Sequence, residues 1–303
     1  RPLLHRAGPA PQAGLDMTLT ADIERVASVR HAAARRRNGV TAALVALLAI
    51  AFALSMYLGD YPVPVASVIQ SLLSPITGIT DRAAYDGVLQ AMLAANPELL
   101  ATWSAWQPQA LDGRDAEFAG QAPWDVTGRF VPYWQRGSGT IVQEMLTGYD
   151  TPGAGDYALL PKSLDRAVAI EPYPYVVGGQ EILITSFGVP IKVGGAYVGT
   201  AGIDLSLGSI NAELSQMRPF DTGNVALVSA TGIVVAHPDA SLVGKTLPAD
   251  NPLAPLVQKS LASTDYVETE AAGTDGAPWR YMAVSFAAGG TQDRWSVVSL
   301  VPQ

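Results

Sequence analysis

Beyond residue 80 the chain alternates between helical and strand-like spacing of its apolar positions. "DRAAYDGVLQAMLAANPELL" sets Ala84, Val88, Leu89, Met92 and Leu93 on one face of an amphipathic helix, which Asn96-Pro97 ends. "ATWSAWQP" alternates as a strand up to Pro108, so Trp103 and Trp106 fall on opposite sides. The polar, glycine-bearing "LDGRDAEFAGQAPWDVTG" reads as a long loop with solvated charges. "RFVPYW" follows, then "RGSGT" and a helix predicted through "IVQEMLTGY". Antiparallel strands are expected across "AVAIEPYPYVVGGQEILITSFGVPIKVGGAYVGTAGIDLSL", where "VVGGQE" and "KVGGAY" each set Gly-Gly between strand-like runs. "ILITSFGVPI" and "YVGTAGIDLSL" are the central strands, and "GSINAELSQM" is a short helix.

After Arg218-Pro219 the theme repeats more briefly. "NVALVSATGIVVAHPD" is strand, turn, strand; "SLVGKTL" is a capped turn; "NPLAPLVQKSLAS" is helical; "DYVETEAAG", "PWRYMAVSFAA" and "RWSVVSLVPQ" are further strands. The pattern implies an α+β fold of two tandem modules, each an antiparallel sheet flanked by helices.

One segment obeys neither period. Val40 to Leu58, in "RRRNGVTAALVALLAIAFALSMYLGDYP", carries no charge, and its length of about 19 residues nearly crosses a ~30 Å hydrocarbon layer. Arg35, Arg36 and Arg37 precede it and Asp60 follows, so positive-inside reasoning puts residues 1–39 in the cytoplasm and the body outside. The expected organisation is a cytoplasmic segment 1–39, a transmembrane helix 40–58, a connector 59–79, and modules 80–218 and 219–303. "WSVVSLVPQ" ends where a second membrane helix is expected.

Charge and composition narrow the chemistry. The net charge is −8; residues 1–58 hold seven Arg against Asp16, Asp22 and Glu24, which leaves the body at about −12 and disfavours nucleic acid as a partner. There is no cysteine, and the histidines are His5, His31 and His237. A disulfide scaffold, thiolate chemistry and a multi-histidine metal site in the body are thereby excluded. No cofactor or metal is expected. His237, in "AHPD", is read as a structural turn residue, and Asp112, Asp115 and Glu117 as loop charges rather than paired catalytic carboxylates. An extracytoplasmic enzyme is therefore disfavoured.

Two family resemblances bear on this reading. Residues about 40–73, ending "SMYLGDYPVPVASVIQSLL", resemble the first membrane helix of iron–siderophore ABC-transporter permeases, which implies a chimeric or fused N-terminus joined between Ser74 and Asp81. Residues about 80–303 resemble the double Cache sensor domain of bacterial methyl-accepting chemotaxis receptors. The pieces that carry this are "NPELLATWSAWQPQALDGRDAEF", "GRFVPYW", "PGAGDYALLPK", "EPYPYVVGGQEILITS", "GTAGIDLSLGSI" and "GIVVAHPDASLVGKTL". The resemblance implies two PAS-like Cache modules in the periplasm or outside the cell, the first membrane-distal and ligand-binding, on a receptor of the inner membrane. It also implies a homodimer, although Pro62, Pro64 and Pro75 interrupt the region where the family has a long leading helix. The output is read as chemotaxis. A histidine kinase or nucleotide cyclase is the alternative, and a permease fragment or periplasmic binding component the more distant one.

The resemblance also implies a site. Amino-acid-binding members use an arginine with neighbouring aromatics for the ligand carboxylate, and Arg129 stands for it, with Trp124, Tyr133 and Trp134 as walls. The family's ammonium-binding aspartate is replaced here by Tyr175, in "EPYPY", while Asp204, in "GIDLS", matches a second acidic position. Trp106, Tyr149 and Tyr173 complete the candidate set; Tyr157 is a further candidate, and Trp103 is read as core. The expected ligand is a small organic acid, with an amino acid or amine next, since an aromatic cage also favours cations.

Overall fold

The computed structural model describes residues 81–273 and 276–303, so the predicted cytoplasmic segment, membrane helix, connector and permease-like stretch all lie outside the described residues. Among the described residues, no helix is long and apolar enough to cross a membrane.

Helix α1 (Arg82–Ala95) starts where Asp81 accepts a hydrogen bond from the Ala84 N–H at 3.1 Å, a cap worth about 1 kcal/mol. It buries Tyr85, Leu89 and Leu93 at helical spacing. The first sheet contains β1 (Ala101–Trp106), β2 (Pro132–Gln135), β3 (Val142–Met145), β4 (Val168–Ala169), β5 (Tyr173–Val177), β6 (Gln180–Val193) and β7 (Ala196–Ser206). Their order is β3-β2-β1-β7-β6-β4, with β5 also pairing β6, and every pair is antiparallel. Both predicted Gly-Gly turns form. Gly178 and Gly179 (φ 58° and 77°) join β5 to β6, and Gly194 and Gly195 (φ 58° and 84°) join β6 to β7. Two successive left-handed residues make a turn whose twist matches the strands, and glycine enters it without a Cβ penalty.

Two local readings are corrected, and one expected strand is covered on both faces. "IVQEMLTGY" is the edge strand β3, not a helix, because pairing with β2 overrides the helical propensity of Gln143, Glu144 and Met145. β1 is buried at all six positions, since α1 covers one face and α3 (Asp156–Leu164) approaches the other. The polar loop contains a short helix, α2 (Asp115–Phe118), and Asp115 is buried rather than solvated.

After α4 (Leu207–Leu214), the second sheet is β10-β11-β12-β8-β9, from β8 (Asn224–Val228), β9 (Val234–Ala236), β10 (Val267–Ala272), β11 (Pro278–Ala287) and β12 (Arg294–Pro302). Helix α5 (Leu253–Leu261) buries Leu253, Leu256 and Val257 against it. The α1 side of the first sheet continues into this module, where Phe187 meets Trp295 with ring centroids 6.0 Å apart. Arg166 adds a two-pronged ion pair to Asp293, at 2.9 and 2.8 Å.

Candidate functional site

The antiparallel register decides which side chains share a face. Opposite Asp204 of β7 stand Ala101 of β1 and Ser186 of β6; opposite Trp103 stand Gly202 of β7 and Tyr133 of β2. Tyr173 pairs with Ile184 and Tyr175 with Ile182, so both tyrosines of "YPY" project to the same side. Helix α3 covers this face and adds Tyr157. It comes close because Gly188 has no side chain: a Cβ there would lie 2.8 Å from both Pro161 Cγ and the Tyr157 carbonyl. A Cβ at Gly202 would lie 2.3 Å from Trp103 Cζ2, so the indole rests on bare backbone.

The outcome is a buried carboxylate ringed by aromatics. Asp204, 2% exposed, accepts hydrogen bonds from Trp103 Nε1 at 2.8 Å, Ser186 Oγ at 2.6 Å and Tyr133 Oη at 2.9 Å. Tyr173 bonds Ser186 Oγ at 2.7 Å, so it holds the carboxylate through one intermediary. Trp103 packs edge-on to Tyr157 at 5.1 Å, Tyr133 to Tyr175 at 5.5 Å, and Tyr157 lies parallel to Tyr173 at 6.4 Å. Tyr157 Oη donates to the Thr147 carbonyl at 2.8 Å, and Tyr175 Oη accepts from the Thr147 N–H at 3.0 Å, which fixes both rings. Among the described residues no ion pair reaches Asp204. Burial accordingly raises its carboxyl to about 6, against the opposing pull of the Ser186, Trp103 and Tyr133 hydrogen bonds. Burial, reinforced by the Asp204 charge, pushes the Tyr133 phenol far above its ordinary range, so it remains a donor.

Arg129 is placed differently from the expectation. It is buried, but its Nη1 pairs with Asp150 at 2.6 Å, its Nε donates to the Trp106 carbonyl, and its guanidinium lies 4.7 Å from the centre of the Tyr149 ring. Tyr149 in turn donates to Asp125. Of the expected walls, Trp106, Trp124 and Trp134 lie across the sheet from Asp204. Trp106 and Phe130 each meet Tyr85 at 5.5 Å, Trp124 lies tilted against Phe130 at 5.5 Å, and Trp134 Nε1 donates to Asp86 of α1 at 3.1 Å. The arginine that Trp124 faces is Arg82, at 5.3 Å. Tyr133, Tyr173, Tyr175 and Asp204 do come together, with Tyr149 packed at the margin of their cluster.

Trp103 is core, as expected, and its indole also bonds Asp204; the candidate Tyr157 joins the same cluster, whereas Ser186 carried no expectation. The available signal was the alternation of β1, which puts Trp103 and Trp106 on opposite faces; it does not say which face holds the carboxylate.

No family model matches the chain. Over 180 residues it is 29% identical to the methyl-accepting chemotaxis protein TlpQ of Pseudomonas aeruginosa, an alignment covering 54% of this chain and 25% of that protein. The chain therefore spans about a quarter of the length of this curated relative. Among solved structures, an extracellular domain assigned to a histidine kinase, mmHK1S-Z3, is 30% identical with a TM-score of 0.67, over 77% of this chain and 84% of that one. A structure described as methyl-accepting chemotaxis protein X shares the fold with a TM-score of 0.70 at 22% identity, over 88% of this chain and 100% of that one.

Proposed function

The chain belongs to the Cache-type extracellular sensor domains of bacterial receptors, and on that premise we propose that it senses a small primary amine, bound as its ammonium in the aromatic cage around Asp204. The family is one of sensors, not enzymes. The observation that carries the ligand class is a fully buried carboxylate with aromatic neighbours and, among the described residues, no cation paired to it. Burying an unpaired charge is costly, and an entering cation would offset that cost. An ionised carboxylate offers about four lone-pair sites. Three are filled, two on Oδ1 and one on Oδ2, which leaves a site on Oδ2 for an ammonium N–H. The surrounding ring faces attract a desolvated cation by up to about 2 kcal/mol.

The organic acid first expected is less well supported, because the guanidinium meant to hold it already has a carboxylate from its own chain, Asp150. An amino acid would bring a second carboxylate beside Asp204 and needs Arg129 released to balance it. We read the chain as part of a receptor of the inner membrane, anchored by residues 40–58 and carrying this cage in its membrane-distal module; the chemotaxis relative supports chemotaxis as the output. The ligand acts by binding one receptor conformation better than another.

The test is calorimetry and thermal melting of the full chain in detergent with primary amines, amino acids and organic acids. An amine at 100 times its dissociation constant adds about 2.7 kcal/mol of stability, and Asp204→Asn removes that gain. An organic acid that stabilises the parent but not Arg129→Ala would overturn the amine reading.

A further inference from the structure

The second sheet holds a cleft of about 660 Å³, within the range of small-molecule sites. Its polar wall is His237 and Asp239, which follow β9, with Asn251 at the start of α5 and Asn224 at the start of β8; Trp279 and Tyr281 of β11 supply the aromatic wall. Being two residues apart on one strand, these two rings share a face, while Arg280 between them pairs with Glu270 at 2.6 Å.

Local hydrogen bonds determine what the cleft presents. The Asp239 N–H donates to His237 Nδ1 at 2.9 Å, so the neutral ring carries its proton on Nε2 as a donor. Burial lowers the pKa of His237 and keeps that ring neutral. Asn251 Oδ1 accepts the Leu253 N–H at 2.9 Å, which leaves its amide nitrogen as the remaining donor. Asp239 Oδ1 accepts the Ser241 N–H at 2.9 Å and the Ser241 hydroxyl also bonds the carboxylate, whose remaining lone pairs keep it an acceptor. None of the described residues lining the cleft is Lys or Arg, and Asp239 places a carboxylate there, which disfavours a phosphate or a strong acid.

Two neutral donors, one acceptor and a flat aromatic wall match a ring that bears both carbonyl acceptors and N–H groups. We propose that this cleft is a second ligand site, separate from the Asp204 cage, which takes an uncharged planar heterocycle of the nucleobase class. Its ring carbonyl accepts from His237 Nε2 and the Asn251 amide, its ring N–H donates to Asp239, and its face lies along Trp279.

The experiment titrates the full chain in detergent with uracil and with hypoxanthine, by calorimetry and ligand-observed NMR. Saturable binding of at least one base is expected. Asn251→Asp keeps the acceptor for the Leu253 N–H but removes the donor, and should weaken binding about tenfold, as should His237→Ala. His237→Gln, whose amide nitrogen can still donate, should recover most of the loss, which separates recognition from a folding defect. Asp204→Asn should leave base binding unchanged. Absence of binding by both bases, or binding abolished by Asp204→Asn and indifferent to Asn251→Asp, would overturn the proposal. Neither result depends on whether amines bind the first sheet.

Discussion

Arg82 and Asp204 lie on opposite faces of one sheet, each buried among aromatic rings, and their surroundings treat the charge in opposite ways. Arg82 has nearly every donor engaged: Asp112 at 2.8 Å, Asp115 at 2.6 Å and the Gly128 carbonyl at 2.7 Å. Phe118, Trp124 and Phe130 surround its guanidinium at 4.1–5.5 Å. Asp204 is as deeply buried and as richly hydrogen-bonded, yet every partner is neutral. A buried charge with an opposite charge is finished structure, whereas one solvated only by dipoles retains an attraction for a mobile counter-charge. The two faces therefore divide into a side that fixes the loop carrying Asp112 and Asp115 and a side whose carboxylate has no counter-charge among the described residues, the one proposed to bind.

The largest expected effect comes from breaking the paired face. Arg82→Ala leaves Asp115 buried without its cation and should cost about 3–5 kcal/mol, read from urea denaturation. On the other face, Asp204→Asn should abolish amine stabilisation. Its effect on the ligand-free protein should have the opposite sign to that of Arg82→Ala. The Asp204 carboxyl is raised from 3.8 to about 6, so the folded state holds this proton more tightly than the unfolded chain does. The parent should therefore lose stability relative to the variant as pH rises through that interval, and should melt below it at pH 7.5. Amine affinity should fall as pH drops below about 6, where the carboxyl is protonated; calorimetry across pH 5 to 8 reads both limbs.

Gly202→Ala is a finer probe. The added methyl drives Trp103 off its seat, for about 1–3 kcal/mol of overpacking strain and a weaker amine complex, whereas the paired face is unaffected. The smallest effect is expected from Arg129→Ala. It shares no hydrogen-bond partner with Asp204, so amine affinity should stay within about twofold of the parent. A tenfold loss there would move the site toward the acid-binding arrangement.

Much of the fold could be read from local chemistry. The Asp81 cap and the Asn96-Pro97 stop bracket α1, the two Gly-Gly turns join β5, β6 and β7, and the strand–turn–strand of β8 and β9 follows its own pattern. These depend on backbone conformations and periods contained within a few residues. Membership in the sensor family was legible for the same reason, through short motifs spread along residues 80–303. The edge strand β3 was not legible, because its pairing with β2 comes from a neighbour and not from its own residues.

The candidate site was only half legible. Alternation separates Trp103 from Trp106 and Tyr133 from Trp134, but both faces of this sheet are apolar, so polarity along the strand does not mark which one binds. That choice rests on register, which sets Asp204 beside Ser186 and Trp103 beside Gly202, and on α3 settling over Gly188. Proximity in sequence suggested that Trp124 serves Arg129, whereas folding brings it to Arg82, which lies far upstream in the chain. The sequence alone determined most of the elements and the kind of protein; only the tertiary structure decided which buried charge is paired, because a counter-ion is chosen by distance in space.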